Sequence, residues 1–317
     1  MRALRYHRYG GIDVLQLEDA PPPPLGSGQI RVQVQAVALN PKDALFRKGR
    51  FRRLSGGRFP KTPGLDFAGQ VLEDPSGRLP RGARVFGAID EWRFLRGTFA
   101  EELVVAPREL AILPPSVSTS AGAATGLAGL TALQALRDLG RVGAGTRVLI
   151  NGASGGVGTF AIQIGVQLGA VVDTISSAAN TALARSLGAA AAFAYDRQEH
   201  PTERYDLVFD VYGNLPAAKA RPWIGPRGVW VGTVPNARTI VADLASRLLP
   251  LRQRLVVVRS SRRDLETLAG WLASGRLRAV IDRELPFADF REAFGRLESR
   301  RTQGKIILRV DSASLPG

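Results

Sequence analysis

Up to residue 115, the chain consists of short runs of alternating apolar and polar residues, separated by turn residues. Residues 30–37 alternate in this way, which predicts a strand with one buried face. Residues 69–73 and 84–88 predict further short strands, and the prolines of residues 21–24 interrupt the pattern as turns do. This part of the chain is therefore predicted to form a β-rich domain.

Beyond residue 116, longer segments rich in Ala, Leu and Gly replace the alternating pattern. Residues 121–139 predict a helix, and strands and helices then alternate along the chain. The alternating segments are residues 148–150, 159–168, 171–175, 179–187, 207–211, 228–232 and 255–258. This rhythm predicts an α/β domain with a doubly wound parallel sheet.

The last part of the chain returns to the β pattern after a helix predicted at residues 265–274. Residues 280–285 and 304–310 predict strands that rejoin the first domain. The expected organisation is therefore a β-rich domain at residues 1–115, an inserted α/β domain at residues 116–265 and a return to the first domain at residues 266–317.

A Gly-rich turn at residues 151–158 links a predicted strand at residues 147–150 to the helix that follows it. This order favours a dinucleotide site, because glycines let the backbone approach a pyrophosphate and the helix N-terminus attracts the anion. Gly-rich turns also occur in other α/β proteins, but the strand and helix around this one favour the dinucleotide. The candidate cofactor-binding residues of the turn are Ala153, Ser154, Gly155, Gly156, Val157 and Gly158.

Composition excludes several kinds of site. The chain of 317 residues has no cysteine and only two histidines, His7 and His200. Disulfides, thiolate metal sites and histidine-rich metal sites are therefore excluded. No apolar run is long enough to span a bilayer, and the N-terminus lacks the apolar core of a signal peptide. We therefore expect a cytoplasmic protein without a membrane partner.

The net charge of +15 raises the question of a nucleic-acid partner. The arginines are spread along the chain, and their tightest clusters, at residues 50–53, 259–263 and 300–301, lack the interleaved aromatics of a base-stacking surface. We therefore expect a general surface charge that helps to attract an anionic cofactor, and no nucleic-acid partner.

Five segments together resemble the medium-chain dehydrogenase/reductase superfamily, in its zinc-independent quinone oxidoreductase branch. They are residues 38–43, 63–69, 129–135, 152–158 and 303–306. The resemblance implies a Rossmann domain inserted into a GroES-like catalytic domain, with the active site in the cleft between them. It also implies a homodimer in which Rossmann sheets pair edge to edge, and the apolar residues 255–258 would fit the edge strand of such a sheet.

Zinc-dependent members of this superfamily hold a catalytic metal with two cysteines and one histidine. In this chain Asn40 falls at the first ligand position and Leu65 at the histidine position. We therefore expect no metal site and no alcohol oxidation by the zinc mechanism. The resemblance implies hydride transfer to a small electron acceptor, either a quinone or another activated alkene or carbonyl compound.

The resemblance also implies catalytic roles for Asn40, Asp43 and Thr131. Asn40 would bond an acceptor oxygen or the nicotinamide ribose, or else cap the turn before Pro41. Asp43 would belong to the cleft, or else cap the short helix that follows it. Thr131 would contact the nicotinamide end of the cofactor, or else its own helix backbone.

Three further residues matter near this site. Lys305 would touch the cofactor or lie at a strand edge. Asp66 is expected to brace the β domain by accepting local backbone N–H groups. Phe51 lies in the segment where enoyl reductases often carry a tyrosine, and phenylalanine cannot donate a proton. This departure favours quinones over enoyl thioesters.

The expected cofactor is NADPH, with NADH as the alternative. In NAD sites a carboxylate about 20 residues past the glycine turn binds the ribose hydroxyls. Counting from the turn leads to Ser176 and Ser177, whereas Asp173 lies too far back in the strand. Ser177, Asn180 and Tyr195 match family positions that can contact a 2′-phosphate, and Ser176 completes the candidate cofactor-binding residues.

Ala179 stands where the family often carries Arg or Lys, so a charge-assisted bond to a 2′-phosphate is lost. Together with the missing acid and the net charge, this departure motivates an alternative. That alternative is a non-catalytic dinucleotide-binding protein, either a redox sensor or a protein associated with nucleic acid. The main hypothesis is an NADPH-dependent, zinc-independent reductase.

Overall fold

A computed structural model of the chain describes residues 1–91, 94–234, 243 and 252–310. The chain forms two compact units, Met1–Leu127 with Arg259–Gly317, and Ala128–Val258. The first unit thus includes residues 116–127 and 259–265, which the change in composition assigned to the inserted domain.

Strands dominate the chain up to residue 118, and helices alternate with strands after it. Up to residue 118 the described elements are β1 (Arg2–Arg5), β2 (Gln16–Asp19), β3 (Ile30–Ala38), α1 (Pro41–Arg47), α2 (Arg52–Ser55), β4 (Asp66–Glu73), β5 (Arg84–Ala88), β6 (Glu102–Val105) and β7 (Leu110–Ile112). From residue 119 they are α3 (Thr119–Gln134), β8 (Arg147–Asn151), α4 (Gly156–Gln167), β9 (Val171–Ser176), α5 (Ala178–Ser186), β10 (Ala191–Ala194), β11 (Tyr205–Asp210), α6 (Ala217–Ala220), β12 (Ile224–Gly232) and β13 (Arg252–Leu255). The last are α7 (Arg262–Ala273), β14 (Ile281–Pro286), α8 (Phe290–Glu298) and β15 (Lys305–Arg309). None of the described helices is long and apolar enough to cross a bilayer.

The first unit is built around a sheet with strand order β14-β15-β3-β4-β5-β7, in which β6 also pairs with β3. Burial alternates along the first half of β3, as the sequence pattern predicts. Close pairing of β3 with β4 requires a glycine at position 69, because a Cβ there would lie 1.9 Å from Gln33 O. From the end of the chain, β15 returns to pair antiparallel with β3, with Leu308 opposite Val37. The predicted GroES-like domain is confirmed, and its last strands come from the chain terminus.

The second unit contains a parallel sheet with strand order β10-β9-β8-β11-β12-β13. The order reverses between β8 and β11. In doubly wound sheets, ligands bind at the carboxyl ends of the strands beside such a reversal. The predicted Rossmann fold is confirmed, and its topology indicates a ligand site at the carboxyl end of β8.

One predicted strand is wrong in its position. The final strand of the parallel sheet, β13, covers Arg252–Leu255 and not residues 255–258. Leu255 pairs with Gly232, the last residue of β12, so the register ends there. The apolar residues that follow lie outside the sheet, and Val257 is 62% exposed. The apolar edge strand expected for a dimer is therefore incorrect, whereas the homodimer itself stays a prediction.

Candidate functional site

The Gly-rich turn lies at the carboxyl end of β8, beside the reversal of strand order. Gly152 begins the turn with φ +87°, in the left-handed region that glycine adopts without steric cost. Asn151, the last residue of β8, donates from Nδ2 to Asp210 Oδ1 (2.8 Å) and to Asn214 Oδ1 (2.7 Å). These bonds tie the end of β8 to the end of β11 and hold the start of the turn.

Gly158 and Gly155 of the turn lie in different surroundings. A Cβ on Gly158 would lie 2.3 Å from Gly152 O and 2.7 Å from the carbonyl carbon of Ala153, so α4 packs directly on the turn there. A Cβ on Gly155 would meet only Gly152 O, at 3.7 Å, so that side of the turn is open. Because α4 begins at Gly156, its first N–H groups lack partners within the helix and suit an anion.

Polar side chains gather where the turn meets the carboxyl end of β9. Asn180 Nδ2 donates to Ser154 Oγ (3.1 Å) and to Ser177 Oγ (2.9 Å). Ser176 is buried, and its hydroxyl donates to Ser177 O (3.3 Å). The structure thus brings three of the predicted cofactor residues into one hydrogen-bonded group, whereas Ser176 turns its hydroxyl to the backbone.

A carboxylate that the sequence analysis missed lies beside this group, in the segment that follows the neighbouring strand. In the pairing of β10 with β9, Ala194 lies opposite Ser176. Two residues beyond Ala194, Asp196 Oδ1 accepts from the N–H of Ala178, the first residue of α5, at 2.8 Å. The end of the next strand could have revealed Asp196, whereas a count of residues from the turn could not. We define the edge cluster as the side chains of Ser154, Ser177, Asn180 and Asp196.

Asp173 and Tyr195 lie in contrasting surroundings. Asp173 is buried, and its carboxylate accepts from Ala191 N–H (3.0 Å) and from the Tyr205 hydroxyl (2.9 Å). Burial, together with this bond to Asp173, raises the pKa of Tyr205. Both carboxylate oxygens of Asp173 are thus hydrogen-bonded within the second unit, which supports the expectation that Asp173 does not bind the ribose. Tyr195 is 61% exposed and precedes Asp196 in a short 3₁₀ helix.

In the first unit, Asn40, Asp66 and Lys305 form a buried hydrogen-bonded group. Lys305 Nζ donates to Asn40 Oδ1 (2.7 Å) and to Asp66 Oδ2 (2.9 Å). Asn40 Nδ2 donates to the same oxygen of Asp66 (2.8 Å) and to Ala38 O (3.3 Å). Both amide hydrogens of Asn40 are therefore engaged, and its Oδ1 keeps one lone pair for a further donor.

Asp43 adjoins this group through the backbone. Its Oδ2 accepts from Asn40 N–H (2.8 Å), and its Oδ1 accepts from Gly64 N–H (3.3 Å). Asp43 thus caps α1, whereas the Asn40 side chain turns to Asp66 and Lys305 and makes no cap. Burial raises the pKa of Asp43 to about 7, although these N–H groups and the charge of Lys305 oppose the rise. We define the buried cluster as Asn40, Asp43, Asp66 and Lys305.

The structure also places the other residues that the sequence singled out for the site. Asp66 also accepts from Leu127 N–H, which agrees with the bracing role expected for it. Lys305 belongs to β15, which lies between two other strands, so it is not at a sheet edge. Phe51 packs against Phe46, with ring centroids 4.9 Å apart. Thr131 is buried in α3 within the second unit, and its contact with a nicotinamide stays a prediction.

The residues at the family's zinc-ligand positions do not fit a zinc ion. Asn40 offers an amide already bonded to an ammonium, Leu65 is apolar, and the chain contains no cysteine. Within residues 1–91, 94–234, 243 and 252–310, no three His, Cys, Asp or Glu side chains are grouped to hold a metal. The buried cluster instead contains the positive charge of Lys305, which would repel a second cation.

Known proteins match this chain along nearly its whole length. Residues 26–115 match the alcohol dehydrogenase GroES-like domain, and residues 187–308 match the zinc-binding dehydrogenase family. A zinc-type alcohol dehydrogenase-like protein of Schizosaccharomyces pombe is 33% identical over 326 residues, covering 94% of this chain and 93% of that protein. The chloroplastic NADPH-dependent alkenal/one oxidoreductase of Arabidopsis thaliana is 31% identical over 322 residues, covering 97% of this chain and 79% of that protein.

The structural comparison agrees with the sequence comparison. The quinone oxidoreductase from Coxiella burnetii has a TM-score of 0.89 and 27% identity to this chain, covering 98% of this chain and 99% of that one. Fold, segment order and relatives therefore agree, and the chain belongs to the medium-chain dehydrogenase/reductase superfamily, in its quinone oxidoreductase-like branch.

Proposed function

We propose that the protein is a zinc-independent reductase that transfers a hydride from a nicotinamide cofactor to a quinone or another activated alkene or carbonyl compound. The observation that carries this proposal is the buried ammonium of Lys305, bonded to Asn40 and Asp66. Asn40 stands at the position of the first zinc ligand in zinc-dependent relatives. A fixed ammonium there disfavours a divalent cation, so the acceptor must be reducible without a Lewis acid.

The second unit supplies the groups that would hold the cofactor. The open side of Gly155 and the N-terminus of α4 suit the phosphates. Ser177 and Asn180, which follow the end of β9, suit the adenosine ribose. When bound, the reduced nicotinamide supplies the hydride. Thr131 is the residue proposed to contact the nicotinamide end.

Asn40 is proposed to orient the cofactor rather than to polarise the acceptor. Its amide hydrogens already bond Ala38 O and Asp66, so its remaining capacity is a lone pair. A ribose hydroxyl can donate to that lone pair, whereas a carbonyl acceptor cannot. Asp43 would contribute by holding the backbone of Asn40 in place. Catalysis would then come from positioning and exclusion of water, with protons taken from solvent.

Steady-state assays with the purified full-length protein test this proposal. With saturating reduced cofactor, we expect reduction of 1,4-benzoquinone or of a conjugated enone above the rate without protein. We expect no oxidation of simple alcohols with oxidised cofactor, and no change in rate after treatment with a zinc chelator. Turnover that depends on zinc would contradict the proposal.

Gly155→Ala provides the control, because its Cβ has room in the turn but would occupy the approach of the phosphates. This variant should keep its fold and lose most of its turnover. Cofactor binding without reduction of any quinone or enone would contradict the proposal. That result would favour the non-catalytic dinucleotide-binding alternative.

A further inference from the structure

Resting on the function proposed above, we infer that Asp196 makes this site select NADH over NADPH. The carboxylate of Asp196 lies at the N-terminus of α5, where it accepts from Ala178 N–H at 2.8 Å. The sequence favours NADPH because no carboxylate follows the turn at the usual distance and because Ser177, Asn180 and Tyr195 match family positions that can contact a 2′-phosphate. The contact made by Asp196 supplies that carboxylate from the next strand.

The position of Asp196 follows from the register of the parallel sheet. In Rossmann sites the adenosine ribose lies beyond the carboxyl end of the strand that follows the glycine turn and its helix. Here that strand is β9, and it ends at Ser176. Asp196 follows the end of β10, whose Ala194 is opposite Ser176, so both chain segments leave the sheet side by side. The carboxylate therefore lies at the edge where the ribose hydroxyls would be.

A carboxylate in this position treats the two cofactors differently. The hydroxyls of an NADH ribose can donate to it, and Asp196 Oδ2 has no hydrogen bond to any described residue. The 2′-phosphate of NADPH carries additional negative charge and only acceptor oxygens. It would meet like charge, and it would compete with Asp196 for the N–H group at the start of α5.

The first residues of α5, which lie beside Asp196, provide no compensating positive charge. Ala179, where the family often has Arg or Lys, is uncharged, and Asn180 already donates to two serines. Arg185 is the basic residue of α5 and lies in its last turn, about 10 Å along the helix from Ala178. Arg197 follows Asp196 in a 3₁₀ helix, where successive side chains point about 120° apart. Because Asp196 accepts from Ala178 N–H at the start of α5, the Cα–Cβ bond of Arg197 points away from that contact.

Fluorescence titration of the full-length protein with NADH and with NADPH tests the inference. We expect the wild-type protein to bind NADH about tenfold more tightly. Asp196→Asn keeps an oxygen for Ala178 N–H and removes the charge, so it should reduce this preference severalfold or reverse it. Asp206→Asn is the matched control, since Asp206 also accepts one backbone N–H, from Arg147, at the opposite end of the strands. This control should keep the wild-type preference.

Three other results would count against the inference. Wild-type protein that binds NADPH as tightly as NADH, or more tightly, overturns the preference itself. A preference for NADH that survives in Asp196→Asn overturns the role of Asp196. NADPH binding that is lost in Arg197→Gln would show that Arg197 serves the 2′-phosphate and would also overturn the inference. Binding of neither cofactor would instead refute the proposed function, because the site itself would then be absent.

Discussion

The buried cluster and the edge cluster both consist of polar side chains that make hydrogen bonds, but the two clusters differ in their exposure to water. In the buried cluster, Asp43 and Asp66 are fully enclosed and Lys305 is 4% exposed. In the edge cluster, Asp196 is exposed and Asn180 is half-buried. The same kinds of side chain therefore have different consequences in the two places.

Burial decides whether a polar group acts mainly on folding or mainly on a ligand. An enclosed charge depends on its partners, because removal of one partner leaves the other without solvent or counter-charge. Substitution of an exposed polar side chain lowers the stability of the protein only slightly, since water replaces the lost hydrogen bond. We therefore expect substitutions in the buried cluster to change stability, and substitutions in the edge cluster to change cofactor affinity.

The largest effect is expected from Lys305→Met, which leaves the carboxylate of Asp66 buried without its ammonium. We expect the free energy of unfolding to fall by about 3–5 kcal/mol, measured by urea denaturation. Arg309→Met is the matched control on the same strand, because Arg309 is exposed and 3.6 Å from Glu284. Its loss should stay below about 1 kcal/mol. Equal losses in both variants would break the distinction between buried and exposed charge.

Asp43 should make stability fall as the pH rises. Its pKa is about 7 in the folded protein, above the value of 3.8 expected when unfolded. The unfolded chain therefore releases this proton first, and the contribution of Asp43 declines by up to about 4 kcal/mol between about pH 4 and pH 7. Asp43→Asn should lack that decline when urea denaturation is followed across this range.

Asp74→Asn is the control of opposite sign. A hydrogen bond from Ser76 lowers the pKa of Asp74, so this carboxylate stabilises the fold above its unfolded pKa and loses that effect in acid. A variant of Asp43 with the same pH profile as the wild-type protein would mean that Asp43 is ionised in the folded state.

An intermediate effect is expected in the turn, where the two glycines separate packing from binding. Gly158→Ala forces a Cβ to within 2.3 Å of Gly152 O, so we expect a loss of about 1–3 kcal/mol in unfolding free energy and weaker cofactor binding. Gly155→Ala should keep wild-type stability and lose cofactor affinity alone. Thermal denaturation and fluorescence titration of both variants would test these expectations. Equal stability of the two variants would contradict the separation of packing at Gly158 from binding at Gly155.

The smallest effect on stability is expected from Asn180→Ala in the edge cluster. Its bonds to Ser154 and Ser177 are partly exposed, so the loss should be about 1 kcal/mol or less, while the cofactor dissociation constant rises severalfold. Thr181→Ala, on the same helix, removes a bond to Ala178 O and serves as the control for stability alone. A large loss of stability in Asn180→Ala would mean that the edge cluster stabilises the fold as strongly as the buried cluster does.

Much of the fold could be predicted because short segments of sequence determine many of its strands, turns and helices. The alternation in β3 and the strand, turn and helix around Gly152 are encoded within a few residues each. The error at residues 255–258 has a different origin. An apolar run indicates burial or strand formation, but the end of β13 is decided by its register with β12, at Leu255 and Gly232. Register between distant strands cannot be read from a single segment.

The candidate site divides in the same way. Ser154 lies in the turn, a count from the turn leads to Ser177, and the family resemblance points to Asn180; the structure joins all three. Neither the count nor the resemblance points to Asp196, because its place depends on which strand lies beside β9. The bonds of Lys305 to Asn40 and Asp66 are likewise a product of the sheet, in which β15 pairs with β3.

The long separation in sequence between Lys305 and its partners has a consequence for synthesis on the ribosome. Its partner Asp66 is made 239 residues earlier. Until Lys305 is made, the two carboxylates of the buried cluster lack its ammonium. The last residues of β3 also lack β15, the strand that pairs with them. The first unit can therefore reach its final packing only after β15 has left the ribosome, although the second unit is made entirely before that strand.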